Sequence, residues 1–84
     1  MNLNIYSIKD SKAGTFSQPF YSVNHSTAIR SFNASLQDET NPLSNYPTDF
    51  SLYHVGTWSD KDAKIQQLEV EFIADGVGQK EVTK

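Results

Sequence analysis

Phe50-Ser51-Leu52-Tyr53-His54-Val55-Gly56-Thr57-Trp58 is the clearest strand in the chain. Phe50, Leu52, His54, Gly56 and Trp58 alternate with Ser51, Tyr53, Val55 and Thr57. That period of two sends successive side chains to opposite faces of a sheet. The pattern gives Phe50, Leu52 and Trp58 to a core and leaves Tyr53 as the aromatic most open to water. Downstream, Ser59-Asp60-Lys61-Asp62-Ala63 is a polar connection. Lys64 to Phe72 follows as a partner strand, with Ile65, Leu68, Val70 and Phe72 as its apolar members. The two strands predict a β-hairpin with a loop of four or five residues. Upstream, Leu43 to Pro47 reads as a loop with one 3₁₀ turn.

Moving towards the N-terminus, Ala28, Ile29, Phe32 and Leu36 recur at helical spacing and form one apolar stripe. Arg30, Ser31 and Asn33 fall on the solvent side of that helix. Asn24 or Ser26 can cap it by accepting from the free amides of its first turn. Asp38-Glu39-Thr40-Asn41-Pro42 ends it, because Pro42 pushes Asn41 out of the α region. Leu3 to Ile8 is a strand with apolar groups on both faces, expected well inside the sheet or covered on both sides. Lys9 to Gly14 is a turn in which Gly14 is free to take a positive φ. Phe16 to Val23 is a short extended segment, held to an edge or to irregular chain because Pro19 lacks a backbone donor.

These elements predict an α+β fold: a small antiparallel sheet of about three to four strands packed against one main helix. Residues 1–73 form the single domain. Residues 74–84 lack periodicity and read as a mobile C-terminal tail.

At 84 residues, a chain buries only about 60–65% of its unfolded surface. Small domains often compensate with idealised packing or by oligomerising, so a homodimer is one of two expected outcomes. With no cysteine, disulfides, thiolate metal sites and thiol nucleophiles are excluded. No apolar run reaches the roughly 18–20 residues of a membrane span, and the first residues carry no signal-peptide pattern. The net charge of −3 opposes strong electrostatic attraction to DNA or anionic lipid.

No motif carries catalysis, and the chain reads as a non-enzyme. His25 and His54 lie on different predicted elements, with no metal-ligand spacing between them. His25 is expected to face water and His54 to pack in or beside the sheet. No metal site and no cofactor are therefore expected. Asp49 and His54 would point to opposite faces of a strand, and no nucleophile elbow is present. Asp60 and Asp62 are turn residues. The aromatic residues fill a small core on one reading. On another, an exposed ring such as Tyr53 stacks on a base of single-stranded nucleic acid.

Several pieces occur in a recognisable order: Tyr6-Ser7-Ile8-Lys9-Asp10 with Lys12-Ala13, Pro19-Phe20, Ala28-Ile29-Arg30-Ser31-Phe32, Asn41-Pro42-Leu43, and Tyr46 through Trp58. This order resembles the small non-structural proteins of gokushoviruses, members of the Microviridae, which are often labelled DNA-binding or DNA-replication-associated. The resemblance covers roughly residues 1–70. It implies a phage protein in the cytoplasm of the infected bacterium, absent from the virion, acting around genome replication or single-stranded DNA synthesis. It supplies no catalytic residue. The basic positions it implies are Lys9, Lys12 and Arg30, which with Tyr53 make the expected DNA-binding set. DNA, single- or double-stranded, a second copy of the chain and a phage replication protein are the expected partners, with no membrane. The alternative is an interaction module for a phage replication or assembly protein or a host factor. The net acidity suits that alternative.

Overall fold

A computed structural model describes residues 1–76. Five strands and one helix are formed: β1 (Asn2–Asp10), β2 (Thr15–Phe16), β3 (Phe20–Ser22), α1 (His25–Gln37), β4 (Phe50–Ser59) and β5 (Ile65–Asp75). Two 3₁₀ turns, Pro42–Asn45 and Pro47–Asp49, link α1 to β4. The sheet is antiparallel throughout, ordered β2-β1-β4-β5, and β3 pairs with β1 alongside β2. The α+β expectation holds, with five strands in place of three to four. The extra strand arises because the segment around Pro19 does not pair continuously. Thr15–Phe16 pair with the end of β1 and Phe20–Ser22 with its beginning.

Local chemistry explains the turns and caps. In the β1–β2 turn, the Asp10 carboxylate accepts from the amides of Lys12 and Ala13. Gly14 closes that turn at φ 73°, a conformation that costs glycine little. Asn24 caps α1, its side chain accepting from the Thr27 amide at 2.8 Å. The helix ends earlier than Pro42 alone requires, because Asp38 is already extended (φ −81°, ψ 107°). Its carboxylate bonds the amide and hydroxyl of Thr40. Those bonds hold the Asp38 carboxyl below its ordinary range. The β4–β5 loop runs from residue 60 to 64, five residues as expected, with Ala63 at φ 60°.

The helix buries Ala28, Phe32 and Leu36 against Tyr6 and Leu52 of the sheet. Ile8, Phe20, Ile29, Leu43, Phe50 and Ile73 pack around that nucleus. β5 continues through Asp75, so Ala74 and Asp75, expected in the tail, belong to the sheet. Gly76 is buried, and its amide donates to the Phe50 carbonyl at 2.7 Å. A Cβ there would sit 2.0 Å from the Pro47 carbonyl, so only glycine fits. The remainder of the expected tail, residues 77–84, lies outside the described residues.

The expected alternation along β4 breaks at Val55, which has no partner on either neighbouring strand. Ile5 faces Gly56 while the adjacent Tyr6 faces His54, so β4 carries one extra residue in a bulge. One inserted residue reverses the side on which every later side chain emerges. Phe50, Leu52 and His54 therefore point towards α1. Trp58, expected in the core with them, instead pairs with Leu3 on the opposite side of the sheet and is only partly buried.

Candidate binding face of the sheet

The register assigns each side chain to a side. Under the helix, one row across the strands runs Phe20–Tyr6–His54–Glu71 and the next Ile8–Leu52–Ala74. The far side carries the rows Phe16–Lys9–Ser51–Asp75, Ser7–Tyr53–Phe72, Tyr21–Ile5–Gly56–Gln67 and Leu3–Trp58–Ile65. No described element covers this second side, so it is an open face. Five of its residues are aromatic, where residue i and i+2 of each strand share one surface.

The rings interlock. Tyr53 meets Phe16 edge to face at 5.4 Å and Phe72 at 5.7 Å, making a three-ring row across the sheet. Tyr21 meets Trp58 at 6.3 Å in the same manner. Lys9 lays its ammonium 5.8 Å from the Phe16 ring centre, which ties one cation to the end of the row. Exposure remains high despite these contacts: Phe16 46%, Tyr21 47%, Phe72 52% and Ile65 63%. A groove of about 290 Å³ runs between Ile5, Pro19, Tyr21, Val55 and Ile65. A second depression of about 410 Å³ lies against Leu3, Tyr21 and Trp58. A contiguous apolar patch rimmed by polar groups marks an interaction surface more often than a bare wall of a monomer.

The expected site residues are divided by this geometry. Lys9 and Tyr53 share the open face, joined through Phe16. Lys12 is exposed in the β1–β2 turn just beyond the Lys9 end of that face. Arg30 is exposed on α1, two positions past buried Ala28 and on the side of the helix turned away from the sheet. Phe16, Tyr21, Trp58 and Phe72 were not in the expected set. Gly56 inside a strand pattern was the available signal, since an isolated strand glycine marks a bulge. With one residue inserted at Val55, Trp58 moves to Tyr53's side.

A second cluster lies beneath the helix. His25 opens α1 and His54 is buried in β4, and their ring centres are 5.0 Å apart. One ligand atom from each of His25, His54 and Glu71 lies within 4.8 Å of the other two. The Tyr6 hydroxyl sits 2.6 Å from His25 Nδ1. Burial, and secondarily the Glu71 carboxylate, push the Tyr6 phenol above its ordinary range, so it stays protonated. The pattern of spacing along the sequence could not show this grouping, because three separate elements supply its members.

A family model described as Phage ORF5 protein matches residues 3–78. The chain belongs to that family. The match spans every strand of the sheet and the helix, so the open aromatic face is part of a phage protein. No curated protein and no solved structure matches this Phage ORF5 family member. Among the described residues, no helix is long and apolar enough to cross a membrane.

Proposed function

We propose that this phage protein is a non-enzymatic accessory factor that binds single-stranded DNA on its open sheet face during viral genome replication. The observation that carries the reading is the Phe16–Tyr53–Phe72 row, held on a helix-backed sheet with Lys9 at one end. A rigid sheet presenting several aromatic rings to solvent is a recurring solution for unstacked bases, because every base has a π face. Lys9 and Lys12 lie where a backbone leaving the row would pass, and Arg30 would serve only a strand that wraps onto the helix. The gokushovirus resemblance, the host cytoplasm as the place of action, absence from the virion and pairing of two copies complete this reading.

Few cations face the row, so stacking dominates and the salt dependence is shallow. Each single-strand phosphate neutralised contributes about −0.7 to the slope of log affinity against log salt. Anisotropy titration of a labelled oligo(dT) is expected to give a slope set by one or two contacts. Tyr53→Ala should weaken binding by ~1–3 kcal/mol with the slope unchanged. Lys9→Ala should lower the slope by about 0.7. Absence of binding at ~50 mM salt, where phosphate contacts are strongest, rules this reading out.

A second reading rests on β5. It is an edge strand of 11 residues with Ile65, Val70 and Phe72 about half exposed or more. Such an edge accepts a further strand from a partner, such as a phage replication or assembly protein, a host factor or a second copy. Capture from infected cells separates the two readings: DNA supports the first and one stoichiometric protein the second.

A further inference from the structure

We propose that His25, His54 and Glu71 form a binding site for a divalent first-row transition-metal ion, with Zn²⁺ the expected occupant. Two imidazoles and one carboxylate are a ligand set such ions favour, and one ligand atom of each is within 4.8 Å of the others. The hydrogen bonds behind the ligands carry the inference further than the cluster alone.

Asn4 fixes the state of His54. Its Nδ2 donates to the Val23 carbonyl at 3.2 Å, which leaves Oδ1 as the atom 3.1 Å from His54 Nε2. An amide oxygen only accepts, so Nε2 carries the proton. In the neutral ring, Nδ1 is then a bare lone pair, and it faces the Glu71 carboxylate at 3.7 Å. A positive centre between these two acceptors would bind both. A proton on Nδ1 would satisfy that pair alone. A metal ion would satisfy it and also engage His25, which reaches the same point from the start of α1.

His25 is arranged for that role. Its Nδ1 lies 2.6 Å from the Tyr6 hydroxyl; in the tautomer whose Nδ1–H donates to the phenol oxygen, Nε2 is left as a ligand. Both imidazoles thus have their second nitrogen held by a neighbour, the arrangement that orients metal-bound histidines. Zinc bonds of about 2.0–2.2 Å in a tetrahedron separate ligand atoms by roughly 3.4 Å. The His54–Glu71 pair is already near that spacing, and exposed His25 and Glu71 can rotate to close the rest around buried His54. Three protein ligands leave the fourth position for water. The site lies under the helix, apart from the open aromatic face, so its failure would leave the DNA-binding reading intact.

The test is calorimetric titration of chelator-treated protein with Zn²⁺. One ion per chain is expected, with a rise in melting temperature. Glu71→Gln and His25→Ala, both at exposed positions, should keep the circular dichroism of the parent and weaken zinc at least tenfold. Asn4→Ala should weaken it 10–100-fold through loss of His54 orientation. Zinc affinity unchanged in Glu71→Gln and His25→Ala would overturn the proposal. So would the lack of any saturable one-to-one binding.

Discussion

The helix-covered side of the sheet buries Tyr6 and Leu52 completely, while the open side leaves Phe16, Tyr21 and Phe72 about half exposed. Both sides are built from the same strands. Their difference shows that aromatic content alone does not say where a small domain keeps its core. At the centre of the covered side, Tyr6 and Leu52 are large and packed against α1. Open-face residues are as large but contact chiefly one another across strands, which contributes about 0.5–1.5 kcal/mol per ring pair beyond burial. The covered side is therefore expected to determine stability and the open side to determine binding.

That division is most directly broken by paired truncations. Phe32→Ala removes a ring that is 1% exposed and should cost about 3–5 kcal/mol in denaturant unfolding. Phe72→Ala, half exposed, should cost about 1 kcal/mol, the scale of one lost ring pair, while weakening oligo(dT) binding by ~1–3 kcal/mol. Equal losses of stability would mean that the open face is a buried surface in solution, covered by another chain.

The bulge at Val55 decides which residues join which side, and Gly56 permits it. A Cβ on Gly56 would lie 2.6 Å from the Gln66 carbonyl oxygen, a backbone atom that cannot move without shifting β5. Gly56→Ala should cost about 1–3 kcal/mol, the usual scale of overpacking. It should also change the fluorescence of Trp58, the one tryptophan, because the strand end beyond the bulge carries that ring. An unchanged spectrum with unchanged stability would show that the bulge does not depend on glycine.

These elements also show how far the sequence could be read. The helix was legible because Ala28, Phe32 and Leu36 repeat at a spacing set by the helix itself, and Asn24 precedes them as a cap. The hairpin was legible because the polar run after Trp58 separates two apolar strands. Trp58's side was not legible by counting alternation, since one unpaired residue at Val55 inverts the count. The open face was likewise hidden, because exposure of Phe16 and Phe72 depends on there being one α-helix among the described residues and not on their own neighbours. The His25–His54–Glu71 group needed the antiparallel register of β4 and β5 and the docking of α1 before its members met.

The smallest effects should come from the two ends of α1, and they sharpen the comparison because they touch only the covered side. Asn24→Ala removes the cap on Thr27 and should cost about 1 kcal/mol, with oligo(dT) affinity unchanged. At the other end, Asp38 is fully solvated and titratable, whereas Asn24 is not. Its carboxyl is held low first by the Thr40 hydroxyl and then by the Thr40 amide. A carboxyl depressed in the folded state contributes stability that is present above its unfolded value and lost as pH falls through its folded one. Acid titration followed by carboxyl NMR should place Asp38 below the ordinary aspartate range, and Thr40→Ala should return it towards that range. The accompanying change in stability should be too small to resolve, because a fully solvated group is screened. A measurable acid destabilisation that Thr40→Ala abolished would instead mean that the turn after α1 helps to hold the helix on the sheet.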